Sequence, residues 1–139
     1  MGRILWPCGF DSEEPLSNVE AAWAHLLEHD RWAQPPRAVD EQVLFMTTCM
    51  ETWFVADRAA LKTYFKHNLQ ESALPSLHGL ENRDRHEVQH KLGDATRNCS
   101  NAYVKGIKSY DLLGKLSPAI LEQHLPSFVR IRRILTEHL

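Results

Sequence analysis

Residues 41–50, EQVLFMTTCM, restrict the fold of this chain more than any other stretch. The segment VLFM is apolar at consecutive positions rather than at alternate ones, the pattern of a strand covered on both faces. ETWFVAD at 51–57 follows with no glycine or proline. The strand is therefore expected to run straight into a helical turn, and Asp57 is placed to cap a second helix that buries Leu61, Tyr64 and Phe65. Upstream, ILW at 4–6 reads as a strand stub leading into the acidic run DSEE at 11–14. Ser17 and Glu20 have the spacing of a capping box for a helix with Val19, Trp23, Leu26 and Leu27 along one stripe. QPPR at 34–37 ends that helix, because proline lacks a donor and restricts its predecessor.

Residues 68–83, with Pro75 and Gly79, read as a long loop. Beyond Asp84 the chain reads as helix. Val88, Leu92 and Ala95 mark one stripe that Cys99 continues, and a linker with Tyr103 and Lys105 follows. Short helices are expected near 107–115 and 118–124. A last helix carries Phe128, Ile131, Ile134 and Leu135 on one face. The expected fold class is α/β: a single domain over 1–139, with a small, partial sheet in residues 1–66 and a mostly helical part over 84–139.

At 139 residues, 43% hydrophobic and 24% charged, the chain can bury a core without a metal or disulfide, and its composition excludes disorder. A net charge of -2 excludes a polycation that coats nucleic acid. The charge is uneven, however: residues 1–60 carry ten acidic and four basic side chains, and residues 101–139 carry three acidic and six basic. An acidic front and a basic tail suit a metal with a phosphate chain nearby. They equally suit two solvated faces that attract one another. Cys8, Cys49 and Cys99 are odd in number and without short spacing, which points to a reducing cytoplasm and excludes a disulfide scaffold. The chain has no apolar run of membrane-spanning length and no signal-peptide core at its start. It is expected to be soluble and cytoplasmic, with no membrane partner.

Two sets of residues could carry chemistry. HEVQH at 86–90 matches the zinc-protease helix, with His86 and His90 one turn apart and Glu87 as general base. Thr96 stands where the longer motif has its third ligand. The apolar stripe of Val88, Leu92 and Ala95 lies opposite the histidines, so the pair reads as surface, with a zinc metallopeptidase kept as an alternative. His25 and His29 share the same spacing without the motif. The second set is acidic. Asp11 and Glu13, alternate residues on an extended segment, point the same way. Glu51 follows the end of the best strand, where α/β sheets place their chemistry. If the strands pair in parallel, all three carboxylates converge on one Mg or Mn ion. The plainer reading is an acidic loop and a helix-start glutamate favoured by its dipole. Trp53 and Asp57 either pack the core or shape a site around Glu51. Tyr103, Lys105, Lys108, Arg130, Arg132 and Arg133 are candidate phosphate contacts, or solubilising groups. No phosphate loop, dinucleotide turn or serine elbow occurs, and Cys49 has no activating histidine in a recognisable pattern.

DSEEP at 11–15, AWAHLLEHDRW at 22–32 and METWFVADRAALKTYF at 50–65 resemble a bacterial family of unknown function related to the TOPRIM domains. ALP at 73–75, KLGDATRN at 91–98, YVKG at 103–106 and PSFVRIRRIL at 126–135 continue the resemblance. Members often neighbour AAA or SMC-like ATPases in phage-defence regions. The resemblance implies a TOPRIM-like core in which carboxylates bind Mg or Mn and support phosphodiester cleavage. Asp11 and Glu13 match the family's acidic pair, and Glu51, Trp53 and Asp57 match its later signature. Family members carry a first strand and a glutamate-glycine turn ahead of this point, so the chain looks N-terminally truncated. The expected function is a metal-dependent nuclease subunit, or its catalytically incomplete remnant, acting on nucleic acid with an ATPase partner. A non-enzymatic protein-interaction module is the alternative.

Overall fold

Two short strands, β1 (Cys8–Asp11) and β2 (Val43–Met46), lie parallel, with Cys8 opposite Val43 and Asp11 opposite Met46. The computed structural model describes Cys8–His138, with Cys8, Ile107 and Lys108 as backbone only. The strand stub expected at 4–6 lies outside the described residues. Parallel strands need a crossover, here α1 (Ala22–Asp30) and the irregular chain that follows it. β2 is covered on both faces, which is the physical reason for its unbroken apolar run. Val43 and Phe45 pack on Ala22 and Leu26 of α1. Leu44 packs on Ile131 and Ile134 of the C-terminal helix α7 (Pro126–His138). Full burial of one such side chain stabilises the fold by roughly 2–3 kcal/mol.

From β2 the chain passes through Thr47 and Thr48 into α2 (Met50–Ala56), which is buried nearly all round. A polar or charged face would make such a helix a surface helix; α2 lacks one, and so it runs through the centre. Phe54 and Val55 join the main core with Leu61, Leu80, Val88, Leu92, Leu112 and Leu125. Asp57 accepts the Ala60 amide at 3.1 Å and caps α3 (Arg58–Phe65), as its spacing predicts. Asp84 caps α4 (Arg85–Thr96) by accepting the His86 and Glu87 amides. Between them the chain makes short 3-10 turns, one of them over Leu80–Asn82. Two short helices, α5 (Ile107–Leu113) and α6 (Pro118–His124), lead into α7. The result is a mixed α/β fold with a small two-stranded sheet and a largely helical remainder.

The expected start of α1 fails because its partners lie far along the chain. Ser17 and Glu20 form no capping box: α1 begins at Ala22, and its Trp23 amide is capped by Asp40 at 2.9 Å, from across the crossover. The Glu20 carboxylate instead takes two hydrogen bonds from Arg133 (2.9 and 2.7 Å). Arg130, 3% exposed, donates to the carbonyls of Val43 (2.7 Å) and Asp40 (2.6 Å), with its Nε 3.4 Å from Glu20. Arg132 pairs with Glu122 at 3.0 Å. The arginines considered for phosphate are thus committed to protein partners, and Arg130 and Arg133 bind α7 to the sheet and the α1 approach. Leu27, expected on the buried stripe, is exposed.

Candidate functional site

The parallel register brings Asp11 and the exit of β2 to the same end of the sheet. Pairing continues past the strands: the Ser12 amide donates to Met46 O (3.2 Å) and the Glu13 amide to Thr48 O (2.8 Å). The acidic segment is therefore held against the chain that enters α2, whose first turn carries Glu51. Glu51 is 1% exposed. Its Oε1 accepts from Gln89 Nε2 of α4 and its Oε2 from the Tyr103 hydroxyl, both at 2.9 Å. The Tyr103 hydroxyl also meets Ser109 Oγ at 3.0 Å, and Ser109 Oγ accepts the Gly106 amide at 3.1 Å. Burial, and then the adjacent Glu51 charge, push the Tyr103 phenol well above its usual range, so it serves as a fixed donor. Both donors to Glu51 are neutral, and among the described residues no cation lies within ion-pair distance of it.

Asp11 stands at the rim of this arrangement. Its carboxyl is raised above the usual range by burial first and by the Glu51 charge second; Glu13 adds to the shift, while Lys105 and Arg85 oppose it. Asp11 and Glu51 thus repel one another across the end of the sheet. That is the arrangement a divalent ion relieves, since Mg needs only one or two carboxylates alongside water and phosphate oxygens. The donor set is all oxygen and fits a hard cation. Lys105 is exposed, and its charge reaches Asp11; the side chain of Lys108 lies outside the described residues.

Glu13 does not arrive by strand alternation. The strand ends at Asp11, and Glu13 adopts a left-handed backbone with φ 66°, uncommon for a residue with a Cβ. Its Oε1 pairs with Arg85 at 3.1 Å and its Oε2 faces His29 Nε2 at 3.7 Å. Glu13, His29 and Asp30 offer ligand atoms within 4.8 Å of one another, whereas Asp11, Glu13 and Glu51 do not close into such a group. His29 presents Nε2 to Glu13 and Nδ1 to Asp30 (3.1 Å). One atom from each of the three could meet at a common ion, and the Nδ1 contact with Asp30 also orients the ring. Of the three carboxylates expected to converge, Glu13 turns toward α1 and α4, and Asp11 and Glu51 interact through their charges at one end of the sheet.

The remaining candidates lie elsewhere. Asp57 is at the opposite end of α2 from Glu51, about 9 Å along the helix by its rise per residue. Besides capping α3, it accepts the Ser117 amide at 2.8 Å, a structural role. Trp53 packs edge-on against Phe128 (5.2 Å, 90°) and joins two parts of the core. The His86 and His90 side chains are 72% and 78% exposed, beside Asp84 and Asp94 respectively. Glu87 is held between Arg83 (3.2 Å) and Lys91 (3.0 Å). Among the described residues, no third donor gathers around the two histidines. The residues that sequence reasoning missed are Gln89 and Arg85, and it gave Tyr103 to phosphate rather than to Glu51. All three act across the fold, and no local pattern marks them. No helix is long and apolar enough to cross a membrane. No protein-family model, curated protein or solved structure matches this chain.

Proposed function

We propose that the chain holds a divalent metal ion, Mg or Mn, between Asp11 and Glu51 and serves phosphodiester chemistry on nucleic acid. It would do so as a nuclease subunit, or as a catalytically incomplete form of one working with an ATPase partner. One observation carries this reading: Asp11, at the C-terminal end of a parallel strand, shares that end of the sheet with Glu51, a fully buried carboxylate that has only neutral donors. Gln89 and Tyr103 fix the Glu51 oxygens, so that its position would not have to be assembled when the ion arrives. Lys105 and Arg85 supply positive charge at the rim, where a phosphate would approach. A bound divalent ion would supply Lewis acidity toward a phosphate oxygen. The nuclease identity and the ATPase partner rest on the family resemblance, and the metal on the geometry.

Calorimetric titration of the metal-free chain with Mn tests the proposal. Saturable binding is expected in the wild type and in His86→Ala, and loss of binding in Asp11→Asn and in Glu51→Gln. A folded wild type that takes up no Mn would overturn it. That outcome would favour the second reading, a protein-docking module. Phe10 and Trp32 support that module, being both exposed and in edge-to-face contact at 6.1 Å.

A further inference from the structure

Beside the exit of β2 lies a cavity of about 190 Å³ that the metal reading does not use. Leu16, Val19 and Leu80 give it apolar walls, and Glu81, Asn82 and His124 give it polar ones. Its volume equals about six waters at the roughly 30 Å³ each occupies in the liquid. Glu81 is 7% exposed. Among the described residues, every hydrogen bond to its carboxylate comes from one residue. The Ser127 amide is shared between Oε1 (3.1 Å) and Oε2 (3.0 Å), and the Ser127 hydroxyl reaches Oε1 at 2.9 Å. That hydroxyl has a single hydrogen and also lies 2.8 Å from Thr47 Oγ1. At most two hydrogens therefore reach a group that can accept about four. Among the described residues no cation pairs with it.

We propose that this cavity binds a primary ammonium group on a short alkyl stem, with Glu81 as its counter-charge. The ammonium brings three donors and a positive charge to the oxygens that Ser127 leaves under-supplied. Asn82 offers a further acceptor, and the stem lies against Leu16, Val19 and Leu80. Other ligand classes fit less well. An anion meets the carboxylate, and a divalent metal finds a single carboxylate where it prefers several anionic oxygens. Burial, offset only partly by Ser127, pushes the Glu81 carboxyl up to about 7. Left alone, the group lowers its cost by holding a proton, and the ammonium takes that proton's place.

The test is an amide NMR titration of the full chain at pH 8 with n-propylammonium, using 1-propanol and acetate as controls. A capped lysine (Nα-acetyl-lysine N-methylamide) serves as a second ammonium source. Saturable shifts are expected at the amides of Gly79, Leu80, Asn82 and Ser127 with propylammonium. Affinity should fall at least tenfold in Glu81→Gln, and also in Val19→Phe, which narrows the cavity and leaves the carboxylate in place. Binding of the capped lysine as well would assign the site to a lysine side chain, and its failure to bind would assign it to a free amine. No saturable shift in the folded wild type, or equal affinity in wild type and Glu81→Gln, would overturn the proposal.

Discussion

Replacing Glu81 by Gln removes one ionisable group from the interior while keeping its shape. The glutamine carbonyl can accept both Ser127 donors at the Oε1 position, with its amide nitrogen toward the cavity. Burial raises this carboxyl from 4.5 to about 7. At about 1.36 kcal/mol per pH unit, the shift corresponds to about 3 kcal/mol. Its sign follows from proton counting. Between these two values the folded chain keeps the proton that the unfolded chain has released, so stability falls as pH rises through the window and is level on either side. The glutamine variant has no such loss. Its stability relative to wild type should therefore rise by about 3 kcal/mol between pH 4 and pH 8, most of it above pH 5. Urea unfolding at fixed pH, followed by tryptophan fluorescence, measures the difference. Contributions from other titrating groups, Asp11 among them, cancel in the comparison. A difference that stays constant from pH 5 to pH 8 would refute the argument that Glu81 is buried without adequate compensation.

Glu51→Gln should lower the Asp11 carboxyl toward the ordinary range while leaving the part of the shift due to burial, as read by carbon NMR titration of the side-chain carboxyl. An unchanged Asp11 titration would mean that the two carboxylates do not share a site. Arg130→Met should destabilise the chain by about 3 kcal/mol, because it strands the carbonyls of Val43 and Asp40 without their donors. A loss below about 1 kcal/mol in urea unfolding would show that water replaces the guanidinium, against its role in tying α7 to the sheet.

What the sequence made legible was local. The VLFM run announced a doubly covered strand because burial on both faces must appear as consecutive apolar residues. Asp57 announced a helix start because a cap and its amides lie within three residues, and Asp84 caps the next helix in the same local way. The α1 start was misread for the complementary reason: its cap is Asp40, 17 residues from Trp23, and Glu20 is drawn to Arg133, 113 residues away. Half of the candidate site follows the same division. Asp11 and Glu51 could be placed together because both sit just where adjacent parallel strands end. Glu13 could not, because alternation holds only while the strand continues. Gln89 was hidden inside HEVQH, where the zinc motif drew attention to the histidines and away from the glutamine on the turn's inward side. Its partner Glu51 is 38 residues away, and nothing in the local pattern links the two.

Glu51 and Glu81 flank the same short exit from β2, and their surroundings differ in a way that bears on the ligands proposed for them. Glu51 receives one donor on each oxygen, from two separate segments of the chain, so α4 and the linker before α5 hold both of its oxygens. Its charge is then felt by Asp11, at the solvent-facing rim of the sheet, and a second carboxylate with open coordination is what a divalent ion requires. Among the described residues, Glu81 receives all its hydrogen bonds from Ser127 and has no acidic neighbour lining its cavity. A single carboxylate in a cavity with one aliphatic side would satisfy one positive charge that brings donors of its own and a hydrocarbon stem. Under the two proposals these buried glutamates would diverge in chemistry because of what surrounds them: a second acid at the rim of the sheet in one case, a cleft of mixed polar and aliphatic walls with no second acid in the other.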